Sequence, residues 1–140
     1  MYRALSYLTA PLGRLLLSAI FLMSGANKLM NWSQTADQMR GEGMVAVTFF
    51  LAGAVVFELG GGLSLLLGLK ARLGALALVA FLVPVTLIFH DFWQYQDEAQ
   101  MRQMIHFMKN SAILGGLLAV LTHGAGPVSV DAATAKSRTT

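Results

Sequence analysis

Four long apolar stretches constrain this chain more than any other feature. They run from Pro11 to Met30, Met44 to Leu69, Leu73 to His90 and Ile105 to Thr122. Each is close to the ~20 residues that, rising ~1.5 Å apiece as a helix, cross the ~30 Å hydrocarbon core of a bilayer. Barrel strands would be about half as long and would alternate polar with apolar residues, which these stretches do not. A helix also satisfies its own backbone hydrogen bonds where lipid offers no partner. The expected fold is therefore all-α, a transmembrane four-helix bundle over residues 1–123. A short polar tail over 124–140, rich in Ala, Ser and Thr, should be loosely ordered.

Composition agrees. Charged residues make up 12% of the chain and hydrophobic ones 56%, against about 25% charged in soluble domains. A globule so poor in charge would show water large apolar patches. Lipid is the expected surrounding partner, and a multi-pass place in a membrane the expected location. The net charge of +3 is too small and too dispersed for nucleic acid. The absence of cysteine rules out disulfides, thiol redox cycling and cysteine-ligated metal, and no metal site is expected.

The first span also fits a secretory signal, with Arg3 and Arg14 as the basic region, Leu15 to Met23 as the apolar core and Ser24-Gly25-Ala26 as the cleavage site. Cleavage would leave three spans and fit the charge pattern less well. Lys70 and Arg72, on the tight connection between the second and third spans, must share one side. In a four-span topology Arg3, Arg14, Lys136 and Arg138 lie on that side too. The opposite loops, 31–43 and 91–104, hold only Arg40 and Arg102 among basic residues, beside five acids. This bias puts both the N- and C-termini in the cytoplasm. Trp32 and Trp93 then fall at outer helix ends, where indoles favour the interface.

Ionisable residues within a span cost several kcal/mol unless paired or used. Glu58 lies about 20 Å along its helix from Met44. Ala54, Gly61 and Gly62 share its face, and Gly60, Ser64 and Gly68 form a neighbouring small-residue stripe. Such residues admit close helix contact, so Glu58 should face the bundle interior. In the first span Arg14, Ser18, Phe21, Gly25 and Lys28 recur at helical spacing on one face. In the fourth, His106, Lys109 or Asn110, Ile113 and Gly116 do the same. His90, His106, Lys109, Asn110 and Lys28 should collect at the outer end, and Pro84 should kink the third span and free a carbonyl. The polar groups clustered at the outer end favour Lys109 as the partner of Glu58, with Arg14 as the alternative. One pocket in the outer half, reached by Glu58 and by the first and fourth spans, is expected. The bland readings are packing glycines, snorkelling cations and a protonated Glu58 that links helices. Two histidines at matched depth also satisfy the minimum for haem ligation, but nothing else in the sequence supports haem.

At these residues the chain resembles the DoxX family of small bacterial and archaeal membrane proteins. The likeness rests on FLMSGANKL, FELGGGLSLLLGLKAR, FHDFW, HFMKNSAILGGLL and THGAGPVSVD, and runs from Gly13 to Asp131. It implies a four-helix fold with Arg14, Lys28, Glu58, His90, Lys109 and Asn110 at family motif positions. Some relatives are subunits of quinol oxidases or thiosulfate–quinone oxidoreductases, and others associate with soluble redox enzymes. This chain has no cysteine and lacks the extra domains of the thiosulfate-oxidising relatives, so thiosulfate chemistry is not expected.

The functional expectation is a quinone-interacting or anchoring subunit of a membrane redox complex, at most part of a quinone-linked oxidoreductase. Its proton- or quinone-binding candidates are Glu58, Lys109, Asn110, His90, Arg14, Lys28 and His106, with no catalytic residue assigned. The cofactor expectation is quinone or quinol as a bound molecule and nothing intrinsic. Partners would be lipid, quinone, a redox protein and a second copy of the chain through small-residue helix faces. Two alternatives stand beside it. One is a non-enzymatic assembly or stress-response protein with structural charges. The other is a small transporter in which Gly60-Gly61-Gly62 unwinds.

Overall fold

A computed structural model describes the backbone of residues 2–137 and the side chains from Ala4 onward. The side chain of Arg3, and Arg138 as a whole, both used above for orientation, lie outside the described residues. Six α-helices follow one another: α1 (Tyr2–Met30), α2 (Trp32–Gly41), α3 (Val47–Leu67), α4 (Ala71–Phe89), α5 (Asp97–His123) and α6 (Val130–Ser137). Four of them, α1, α3, α4 and α5, are long and apolar enough to cross a membrane. Large apolar side chains such as Leu8, Met23, Phe49 and Met108 point outward all around the bundle. In water such a surface would aggregate, whereas lipid solvates it.

The spans pack in a fixed order, α1 on α3, α3 on α4 and α4 on α5, while α1 and α5 touch only sparsely. Helices immersed in lipid gain little from hydrophobic burial and associate through close packing. Glycines allow that approach. A β-carbon at Gly61 would lie 2.5 Å from Leu78 Cγ on α4, and one at Gly62 would lie 2.9 Å from Leu22 on α1. Gly25 on α1 meets Leu59 and Glu58, and Gly116 on α5 meets Leu17. These small faces are thus used within the chain. Gly60, by contrast, faces open space. Leu65, Leu78 and Leu117 fill the centre, fully buried, with Phe21 and Ala75 against them.

Three elements depart from the sequence reading. The loop after the first span is largely the amphipathic helix α2, whose Ala36 and Met39 pack on Val47 and Leu51, with Trp32 beside them. Residues 32, 36 and 39 recur at helical spacing, so this signal was present in the sequence. Helix α5 begins eight residues before the expected span, and its first turn holds Asp97 and Glu98, acids that favour a helix N-terminus. The third departure is the tail, which is not loose. α6 folds back onto the turn between α3 and α4. Asp131 accepts hydrogen bonds from the backbone N–H groups of Lys70 at 2.7 Å and Ala71 at 3.0 Å, and its own N–H donates to the Gly68 carbonyl at 2.9 Å. It therefore supplies the N-terminal cap that α4 lacks. The cap also holds a tight turn in which Gly68 (φ +63°) and Lys70 (φ +47°) are both left-handed, a region that a non-glycine residue enters at a cost.

With four antiparallel spans, the start of α1 and the C-terminal segment share one end of the bundle. A β-carbon at Gly126 would touch Ala10. Pro84 lies inside α4, and that helix runs unbroken to Phe89. α3 is likewise continuous through Gly60-Gly61-Gly62, so the unwound point that a transporter reading would use is not formed.

Candidate functional site

The intramembrane polar residues separate into three groups rather than one. The first is an ion pair. Glu58, nearly fully buried on α3, faces α1 across Gly25, where the missing side chain leaves it room. Lys28, one turn further along α1, reaches it with Nζ 3.0 Å from Oε1 and 2.9 Å from Oε2. Oε1 accepts the hydrogen bond and Oε2 is held by charge alone. The lysine also donates to Ser24 Oγ at 2.8 Å. The partner expected from the outer polar cluster, Lys109, is not the one found, and neither is Arg14. Helix order decides this: α5 lies beyond α4, so α3 presents Glu58 to α1. Arg14, Ser18, Phe21 and Gly25 are buried along the face that Lys28 extends.

The second group sits at the end of the bundle away from the termini, on α4 and α5. His90, just past the last turn of α4, stacks on His106 of α5 with ring centroids 5.0 Å apart. His90 Nδ1 lies 2.8 Å from Gln103 Oε1, and Lys109 Nζ lies 3.3 Å from His106 Nδ1. Lys109 and His106 face outward from the bundle, whereas Asn110 is buried and donates to Thr86 Oγ1 at 3.0 Å. Thr86 in turn donates to the Leu82 carbonyl. Beside this pair lies a slot of about 120 Å³ between α4 and α5, walled mainly by Leu82, Val83, Leu87 and Phe107, with Thr86 and Asn110 as polar points. Trp93 meets Phe107 edge-on, with ring centroids 6.1 Å apart. Thr86 and Gln103 were not singled out from sequence. An intramembrane threonine two residues after Pro84 was the available sign.

The third group is at the termini end. The Arg14 guanidinium packs over Gly68 and donates to the Val128 carbonyl, tying α1 to the segment before α6. Its Nε and Nη1 are buried without hydrogen-bond partners among the described residues. Arg14 also lines a groove of about 600 Å³ between α1 and α5, together with Thr9, His123 and the apolar Leu16, Leu17 and Val120. Neither of these two cavities includes Glu58. No group of three His, Cys, Asp or Glu side chains suited to a metal occurs among the described residues.

Comparison with known proteins places this architecture. The DoxX family model matches residues 10–91 and the SURF4 family model matches residues 61–137. The chain is 31% identical over 118 residues to Inner membrane protein YqjF of Escherichia coli, covering 84% of this chain and 85% of that protein. It is 28% identical over 120 residues to Inner membrane protein YphA of the same organism, covering 86% of each. The Surfeit locus protein 4 homolog of Drosophila melanogaster is 31% identical over 133 residues, covering 85% of this chain but 47% of that protein. No solved structure matches. The family match spans α1, α3 and α4 with the Lys28–Glu58 pair, and the chain belongs to the DoxX family of multi-pass inner-membrane proteins, its second half matching the SURF4 family as well.

Proposed function

We propose that the chain is a quinone-interacting membrane subunit of a redox complex, taking quinone or quinol from the bilayer into the slot between α4 and α5. One observation carries the reading: an apolar, lipid-facing slot contains the Asn110–Thr86 hydrogen bond, one turn from the His106–Lys109 cluster. A quinone ring needs apolar walls and a donor for its carbonyl oxygen. Phe107 and Leu82 offer the walls, and the second N–H of the Asn110 amide offers the donor. Reduction to quinol takes two electrons and two protons. His106, an imidazole that can accept and return a proton, supports the proton path, with Lys109 as its neighbour. The electrons would come from a partner redox protein. Both termini would face the cytoplasm. Glu58 has no role in this scheme, because Lys28 engages it.

Fluorescence tests the proposal directly. Trp93 packs on Phe107, the slot's aromatic wall, and quinones quench indole emission on contact. In a Trp32→Phe background, a short-tailed ubiquinone or menaquinone analogue should quench Trp93 saturably. Asn110→Leu should weaken that binding about tenfold, the equivalent of one buried hydrogen bond to a carbonyl. Quenching that never saturates, or that is unchanged in Asn110→Leu, would sink the proposal.

A second reading is favoured by the way the buried polar groups pair. Lys28 with Glu58 and Asn110 with Thr86 satisfy each other, as they would in a non-enzymatic assembly or stress-response protein whose polar interior only fixes packing.

A further inference from the structure

We infer that the groove between α1 and α5 binds one anionic phospholipid, its phosphate at the cationic mouth and an acyl chain lying between the two helices. The site is independent of the quinone slot and lies at the opposite end of the bundle.

The groove exists because α1 and α5, the two ends of the packing order α1–α3–α4–α5, meet only sparsely, with Leu17 lying against Gly116. Its volume of about 600 Å³ falls within the ~300–1,000 Å³ typical of sites for amphiphiles and other small molecules. Polarity is graded along it. Thr9, Arg14 and His123 mark the end near the termini, and Leu17, Gly116 and Val120 line the way toward the middle of the bundle. That gradient matches a headgroup followed by a tail.

Charge selects the headgroup. A β-carbon at Gly124, in the groove wall, would lie 3.5 Å from Arg72 Nε, so the Arg72 guanidinium sits on the rim, donating to the Thr122 carbonyl. Arg14 is 4% exposed and forms no ion pair with a described residue. Asp131, the acid that acts on it, commits both carboxylate oxygens to the N-terminus of α4. Asp131 therefore compensates Arg14 from a distance and forms no ion pair with it; a buried cation so weakly compensated is costly in low dielectric, and a phosphate at the mouth lowers that cost. Arg14 contributes through its charge, because its unpartnered N–H groups are closed off from the open groove. Arg72 and His123, both exposed, are the groups able to touch the phosphate. A second copy of the chain fits less well, since a two-fold contact here would bring Arg14, Arg72 and His123 against their own equivalents.

The test uses the full chain, delipidated in a non-ionic detergent and titrated with dioleoyl phosphatidylglycerol or dioleoyl phosphatidylcholine, with retention read by native mass spectrometry. The wild type should retain one phosphatidylglycerol under conditions that strip phosphatidylcholine. Arg72→Gln should weaken retention about fivefold, the effect of one interfacial cation. Ala119→Phe, at an exposed wall position that blocks the groove without entering the core, should abolish it. Should Ala119→Phe fail to fold, the double variant Arg72→Gln with His123→Gln gives the same readout from exposed positions. Equal retention of the two lipids by the wild type would overturn the inference. So would phosphatidylglycerol binding that survives Ala119→Phe, or a dimer that Ala119→Phe dissolves without any lipid preference.

Discussion

Replacing Glu58 by Gln keeps the side chain's shape and removes its charge, which isolates what Lys28 gains from the pair. At 2.9 Å and an effective dielectric of about 20, the attraction is about 6 kcal/mol. Desolvation of the two ions offsets much of it, so the intact pair is worth little net. Breaking it is different, because one charge is then left without compensation, at a typical cost of about 3–5 kcal/mol. Lys28 retains 22% side-chain exposure and can swing toward the headgroups, which places Glu58→Gln near the lower end, at about 3 kcal/mol. Lys28→Met should cost more, since Glu58 is only 4% exposed and has no route to the interface. The double variant should cost less than the sum by about 1–3 kcal/mol. Reversible unfolding in mixed micelles of mild detergent and dodecyl sulfate, followed by helical circular dichroism, measures all four corners of the cycle. Coupling below about 0.5 kcal/mol would refute the pair as an energetic unit. The matched cycle of Glu58→Gln with Lys109→Met should be additive.

The remaining expectations use the same unfolding assay unless stated. Gly61→Ala should destabilise by about 1–3 kcal/mol, because its new methyl overlaps Leu78, while Gly60→Ala, facing open space, should be neutral or stabilising by up to about 1 kcal/mol. Equal effects at the two positions would mean that the α3–α4 contact is not as close as described. Asp131→Ala should cost about 1–2 kcal/mol by removing the cap on α4, and hydrogen exchange at Lys70 and Ala71 should accelerate with it. A reporter fused after the C-terminus should be active only in the cytoplasm, and one inserted near Asp37 only outside. The reverse pattern would invert the proposed orientation.

Fold class was legible because it depends on local quantities. Span length, the low charge content and the helical recurrence of Arg14, Ser18, Phe21 and Gly25 are properties of the chain alone, and the buried stripe on α1 is where that recurrence put it. The glycines of the second span were read as contact points, and Gly61 and Gly62 are contact points. Asp131 was visible only as part of a motif string, because its task depends on α6 meeting a turn sixty residues earlier. The helix α2 is signalled by Trp32, Ala36 and Met39, but its ten residues are too few to cross a membrane, so a search for spans passes over it.

The sequence by itself determined that Glu58 should face the bundle interior, where it must be either paired or protonated, since an unpaired carboxylate inside a span is too costly to keep. It did not determine which partner. The polar residues clustered at the outer end favour Lys109, but sharing an end of the bundle is one coordinate of three. Only the tertiary structure decided the order α1–α3–α4–α5, and with it which faces meet. That order sets Glu58 against Gly25 and Lys28, leaves Lys109 with His106 on the outer face of α5, and opens a groove between α1 and α5. Helical periodicity fixes how residues are arranged around one axis, and the rotation and neighbours of that axis come from packing, which no single segment encodes.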